Sequence, residues 1–220
     1  MGKRMQLAIF AAMFALGLTG YYLFMPAAAP AVTGESAKTP EAEIKTVQIS
    51  GIIAEKSKTE LVGESTVILA GKVKDILPSK WSNPNFERGQ NISNVIQTDV
   101  IVKVGKVFKG KPYSTKEIAV RIDKGKVDNV EWKSEGFPDF SLNEDVVLFL
   151  REDDSDNARQ DERYYVLTGM KQGKFTKEVG EGFSNGKDKI TAATLPLEIS
   201  EELEKYKKLP RLADPKIYKP

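Results

Sequence analysis

The 220-residue chain contains neither cysteine nor histidine. Without cysteine there is no disulfide framework, no thiol redox chemistry and no lipid-modified N-terminal cysteine. Without histidine there is no Ser-His-Asp or Cys-His catalysis, no histidine-ligated zinc and no histidine-held haem. A serine paired with a lysine, or a pair of carboxylates, stays chemically open. However, no S-x-x-K followed by its companion motifs is seen, and nothing matches a phosphate-binding loop ahead of a helix. The chain therefore reads as non-enzymatic, with no cofactor and no metal expected. Net charge is also lacking. There are 33 basic and 31 acidic residues, and two of the basic ones are Lys3 and Arg4, so the rest of the chain balances at 31 against 31 (33 − 2 = 31). That removes the electrostatic case for nucleic acid or an anionic surface as partner.

One long hydrophobic run is present. Met5 to Met25 carries no charge over 21 residues, enough at about 1.5 Å per residue to cross a hydrocarbon core about 30 Å thick. The small residues of "PAAAPAV", Pro26 to Val32, leave open a secretory signal cleaved near Ala29–Ala31. The run exceeds the usual signal core, which favours an uncleaved transmembrane anchor through residues 5–25. In both readings Lys3 and Arg4 hold the N-terminus in the cytoplasm and the C-terminal bulk lies outside. Residues 26–43 are rich in Ala, Pro and small polar residues and read as a stalk. An extracytoplasmic domain is expected over 44–195, followed by a C-terminal helix and strap over 196–220.

Within 44–195 the signals are mostly those of strands. Ile44 to Ile53 reads as a short leading strand, and Ala54 to Ser65 as a short helix that Gly63 and Ser65 end quickly. "TVILAGKVKDIL", from Thr66, puts Val67, Leu69, Gly71 and Val73 on one face. In "TDVIVKVGKVFKGKPYSTKEIAVRID", Val100, Val102 and Val104 share a face, and the phase then changes at Gly105. A glycine at a phase change predicts a β-bulge that bends the strand. Ile118, Val120 and Ile122 resume alternation. "VVLFL", Val146 to Leu150, is apolar on both faces and predicts a central, covered strand. Tyr164 to Met170 and Gly173 to Val179 read as two more strands, Arg151 to Arg163 as a solvated loop, Gly180 to Lys189 as another loop, and Ser200 to Leu209 as a helix capped at Ser200 and stopped by Pro210.

Five or six strands, one strongly bent, with a short leading helix and a C-terminal helix, predict a mainly β protein built on a small closed barrel. The order of features resembles bacterial exported domains and, more distantly, the netrin-like modules of tissue inhibitors of metalloproteinases. The residues that carry the resemblance are "ILAGKV" at Ile68 to Val73, "VFKG" at Val107 to Gly110, "EIAVRI" at Glu117 to Ile122, "VLFL" at Val147 to Leu150 and "GMKQGKF" at Gly169 to Phe175. The resemblance spans roughly Lys58 to Val179 and implies a barrel of the oligonucleotide/oligosaccharide-binding (OB) type. It does not transfer metalloprotease inhibition, which in those modules depends on an N-terminal cysteine.

The candidate binding residues are aromatics in the two long connections: Trp81, Phe86, Trp132, Phe137 and Phe140. They either form a ligand surface or plug the barrel ends. The one dense oxygen cluster, "EDDSDN" at Glu152 to Asn157, offers Asp154 and Asp156 at the first calcium-loop spacing, but Ala158 and Tyr165 replace later ligands. Asn91 begins an N-I-S triplet read as chance. The sequence thus favours a binding module of the cell envelope whose partner is a protein, peptide or polymer. An inhibitor or regulator of an exported enzyme is the runner-up, and a small envelope hydrolase is third.

Overall fold

The computed structural model of the chain describes residues 43–83, 85 and 94–210. The expected membrane segment, the signal cleavage site, the stalk up to residue 42, Phe86, Asn91 and the strap beyond 210 lie outside the described residues. No helix among the described residues is long and apolar enough to cross a membrane.

Strand β1 (Lys45–Ile49) leads into helix α1 (Lys58–Glu64). Ser57 starts that helix with a capping box: its hydroxyl accepts from the Glu60 N–H at 3.2 Å while the Glu60 carboxylate accepts from the Ser57 N–H at 2.8 Å. There follow β2 (Val67–Ile76), β3 (Lys80–Trp81), β4 (Ile96–Lys109), β5 (Glu117–Ile122), β6 (Gly125–Val127), β7 (Val130–Ser134) and β8 (Asp145–Arg151). Next are β9 (Tyr165–Leu167), a 3-10 turn over Met170–Gly173, β10 (Lys174–Lys177), β11 (Gly182–Ser184), β12 (Lys189–Thr191) and α2 (Leu195–Tyr206).

Five of these strands close on themselves in the order β2-β4-β5-β9-β8 and back to β2. All the pairings in the ring are antiparallel except β5 with β9. Closure removes the free edges a flat sheet would present. The bend that makes closure possible lies in β4. Its pairing with β2 runs from Ala70 opposite Lys106 to Gly71 opposite Val104, stepping over Gly105. The bulge predicted from the phase change is therefore present. The strands approach closely there, since a Cβ at Gly71 would lie 2.6 Å from the Lys103 carbonyl oxygen.

The alternating residues fill two cores. Val67, Leu69, Val73, Val100, Val102, Ile118, Val120, Val146, Leu148 and Leu150 point into the barrel. On the outside, Ile68, Val147, Phe149 and Phe175 are covered by Leu61 and Val62 of α1 and by Leu195 and Ile199 of α2. Strand β8 thus lies between the two cores, which is why "VVLFL" is apolar on both faces. The Lys109 ammonium, at the end of β4, caps α1 by donating to the Val62 and Ser65 carbonyls at 2.6 Å each.

Four sequence expectations change. Helix α2 starts at Leu195, with Thr194 as its N-cap residue, and Ser200 is interior. Pro196 fits the first turn because it has no N–H to lose there, and the buried stripe runs from Leu195 through Ile199 to Leu203. Gly63 does not end α1. It gives room to the Tyr206 ring, which a Cβ at 63 would strike. The segment after Val179, expected as a loop, contains the hairpin β11–β12 extending the sheet from β10. The connections expected to be irregular contain β3, β6 and β7, with β1, β7 and β6 forming a separate three-stranded sheet in that order.

Candidate functional site

Of the five aromatics singled out by sequence, the structure brings two together. Trp132 is half-buried on β7, and Phe137 follows three residues after that strand. Both line an open groove of about 810 Å³ with Lys124, Lys126, Glu131, Lys133, Asp139 and Lys171. The groove is positioned by the backbone: the Lys171 N–H donates to the Gly136 carbonyl at 2.9 Å, tying the 3-10 turn to the loop after β7. Several of its charges are matched internally. Lys124 pairs with Asp139, Lys133 with Glu131 at 3.1 Å, and Glu135 accepts from the Gln48 amide at 3.4 Å. Lys126 and Lys171 line the groove and make no salt bridge among the described residues, although Glu131 stands opposite Lys126 across β6 and β7.

The other aromatics lie elsewhere. Phe140 packs on the barrel core, as does the inner side of Phe137, so these two also serve as the plugs that sequence offered as the alternative. Phe140 is held by Lys174, which is 8% exposed and places its ammonium 4.6 Å from the ring centroid. That ammonium is satisfied by the Asp139 carbonyl at 2.7 Å and the Glu144 carboxylate at 2.6 Å. Trp81 sits in β3 opposite Ile96 and does not line the groove. Neither Trp81 nor Trp132 lies in an irregular connection, as their turn-rich neighbourhoods had implied.

Sequence reasoning missed a second polar constellation. Arg121, on the outward face of β5, is 1% exposed. Its guanidinium grips Asp99, its cross-strand partner on β4, through two bonds of 2.7 Å. It also binds Glu162 and stacks 3.7 Å from the Tyr164 ring centroid. Lys80 joins the same carboxylates, 2.7 Å from Glu162 and 3.3 Å from Asp99. The cluster fastens the 151–163 connection over the barrel, so that segment is not simply solvated. Asp99 and Arg121 were each legible as outward-facing, but their pairing needs the β4–β5 register, which alternation alone does not supply.

Electrostatics in this cluster follow burial and pairing. Burial alone pushes the Glu162 carboxyl up, but the hydrogen bonds from Lys80 and Arg121 outweigh it and hold the group below the usual glutamate range. Asp123, beside them, goes the other way: burial pushes it up, against a hydrogen bond from Gln97. Two fully buried polar atoms here have no partner, Arg121 Nη1 and Gln97 Oε1. In the acidic stretch, Asp154 is engaged by Arg151, which lowers its pKa through that hydrogen bond, and Asp153 accepts from the Tyr164 hydroxyl at 2.8 Å. Among the described residues no group of three or more acidic side chains is arranged to hold a metal ion.

No protein-family model matches the chain, and no curated protein matches it in sequence.

Proposed function

We propose that the chain is a non-catalytic binding module of the cell envelope: a small OB-like barrel carried outside the cytoplasm behind residues 5–25, with its ligand held in the groove at Trp132. The observation that carries this reading is the convergence of Trp132, Phe137, Lys126 and Lys171 on one open groove. An aromatic face beside ammonium groups that make no salt bridge among the described residues suits a protein, peptide or polymer surface that offers apolar area with carboxylate or phosphate groups at its rim.

The barrel's connectivity supports the OB-like part. Numbered along the ring, its strands follow 1-2-3-5-4-1 with a parallel pair between the third and fifth. Barrels of that type commonly bind on the face of strands two and three and the loops beside it. Here that face is β4–β5, and Arg121, Asp99, Glu162 and Lys80 occupy it. Their mutual pairing directs the reading to the β6–β7 groove instead. The netrin-like resemblance agrees with this barrel plan, and it adds no activity because the cysteine it would require is missing.

The test is capture from a cell-envelope extract by the full chain, comparing wild type with Trp132→Ala and Lys171→Glu. Retention of one component by wild type and its loss by at least tenfold in both variants is the expected result. Equal capture by all three proteins would overturn the groove as the site.

A further inference from the structure

The three-stranded sheet has two edges, and they are finished differently. At β6 the Ser79 hydroxyl accepts from the Lys126 N–H at 3.2 Å, and the Thr98 hydroxyl donates to the Lys124 carbonyl at 2.5 Å. That edge is therefore tied to the barrel. At the other edge, β1 pairs only with β7. The register and two bonds fix which of its backbone groups are used: the Lys45 N–H donates to the Asn129 carbonyl at 2.7 Å and the Glu135 N–H donates to the Ile49 carbonyl at 3.2 Å. In a parallel ladder every second residue faces the partner strand. Lys45, Val47 and Ile49 therefore face β7, and the N–H and C=O of Thr46 and Gln48 point outward. Among the described residues nothing blunts this edge: β1 has no proline or bulge, no described loop covers it, and its one charge is Lys45 at the end.

We propose that the free edge of β1 is an interface for a second copy of this chain, joined antiparallel about a two-fold axis at Val47. The hydrogen-bond bookkeeping fits that occupant. Thr46 of one copy opposes Gln48 of the other in a hydrogen-bonded pair, and the symmetric pair does the same, so all the outward groups at these two residues are satisfied. Val47 meets Val47 in the closer, non-hydrogen-bonded position. Lys45 falls opposite Ile49, so no like charges oppose each other and each lysine stem covers an isoleucine.

The exposed aliphatic residues support the same arrangement. Ile44, Ile49 and Ile52 are 52%, 44% and 104% exposed, at the two ends of the strand. Antiparallel pairing carries the Ile44 end of one copy onto the Ile49–Ile52 end of the other. The two sheets then merge into one of six strands. A contact of one short strand is small beside the roughly 1,600 Å² of a standard interface, so the association is weak and depends on concentration. It uses the backbone of β1, and it shares with the Trp132 groove the side chain of Gln48.

The absence of cysteine gives a direct test in the full chain, because each introduced thiol is unique. Val47→Cys should form a disulfide dimer under mild oxidation at least tenfold faster than Lys45→Cys or Ile49→Cys alone. Those two positions are offset by four residues from their own copies, about 13 Å, beyond disulfide reach. Mixing Lys45→Cys with Ile49→Cys should restore the cross-link. Adding Gln48→Pro to Val47→Cys removes an outward N–H while leaving the bonds to β7, and should slow cross-linking by at least tenfold. Equal cross-linking at all three single positions would mean association elsewhere in the chain and would overturn the proposal. So would no cross-link at Val47→Cys with an unchanged circular dichroism spectrum, the result expected if another protein's strand takes this edge.

Discussion

The barrel and the three-stranded sheet beside it are made of similar residues and are finished in opposite ways. In the barrel, β8 has five successive residues fully buried, Val146 to Leu150, with a core on either side. In the sheet, β1 has only Val47 partly covered. The barrel closes its ladder into a ring, whereas the sheet ends in a strand paired on one side only, beside a groove with two lysines that make no salt bridge among the described residues. On the proposed function, the difference puts stability in the ring and recognition beside the sheet. Within the ring each strand has a partner on both sides, and the open sheet has little core to lose.

The sharpest way to break that division is to compare truncations on the two sides. Phe149→Ala empties a site between β8 and the helices, where the ring lies against Phe175 with centroids 5.2 Å apart. It should cost about 3–5 kcal/mol, measured by urea unfolding. Trp132→Ala, on the half-exposed sheet, should cost no more than about 1 kcal/mol. Equal costs would mean that the sheet is part of the core, and the assignment of roles would fall.

Turn glycines offer a smaller contrast. Gly110, just after β4, has φ +73°, and a Cβ there would strike the Thr66 carbonyl beside β2. Gly186, in the turn between β11 and β12, has φ +89° with nothing nearby. Gly110→Ala should destabilise by about 2 kcal/mol or more, combining the left-handed backbone penalty with the clash, and Gly186→Ala by about 1 kcal/mol from the backbone alone. Thermal unfolding of the two variants checks the difference. A reversed order would place the tight packing at the periphery.

The barrel was far more legible in sequence than the sheet, for physical reasons. Val100, Val102 and Val104, or Ile118, Val120 and Ile122, alternate because one face of each strand meets a core, and Gly105 marks the bulge because the phase slips there. Strands β6, β7 and β11 are three to five residues long and mostly half-buried. Only Phe183 of β11 reaches a core, so their side chains carry no clear period, and their turn-rich flanks look like loops. The groove was half legible. Trp132 and Phe137 stood out as aromatics, but Lys126 and Lys171 are two lysines among many until folding leaves them without a salt bridge among the described residues. The Arg121 cluster was hidden for a different reason: its members, Lys80, Asp99, Arg121 and Glu162, lie on four separate segments, and only the barrel's closure gathers them.

The finest test of the contrast lies at the seam, where Asp123 directly follows the barrel strand β5, two residues before the sheet begins at Gly125. Burial raises its pKa, and Asp153 adds to that, while the 2.8 Å hydrogen bond from the Gln97 amide and the charge of Arg121 oppose it. A carboxyl whose pKa is raised on folding contributes stability that is fully present below its unfolded value, about 3.9, and that is lost as pH rises through the folded value. Once ionised, a buried Asp123 is therefore carried by the folded protein at a cost. Asp123→Asn keeps an acceptor for Gln97 and cannot ionise. Its stability relative to wild type should rise as pH climbs above the unfolded value and level off above the folded pKa, read as the difference in urea midpoint at each pH. Glu162, held below its ordinary range, has the opposite sign: its contribution is present above its unfolded value and is lost as pH falls. Glu162 is shared by both proteins, so its contribution cancels in the difference. A difference that does not change with pH would mean that Asp123 is as well solvated as the sheet's surface carboxylates, and that the barrel's dry interior stops short of the seam.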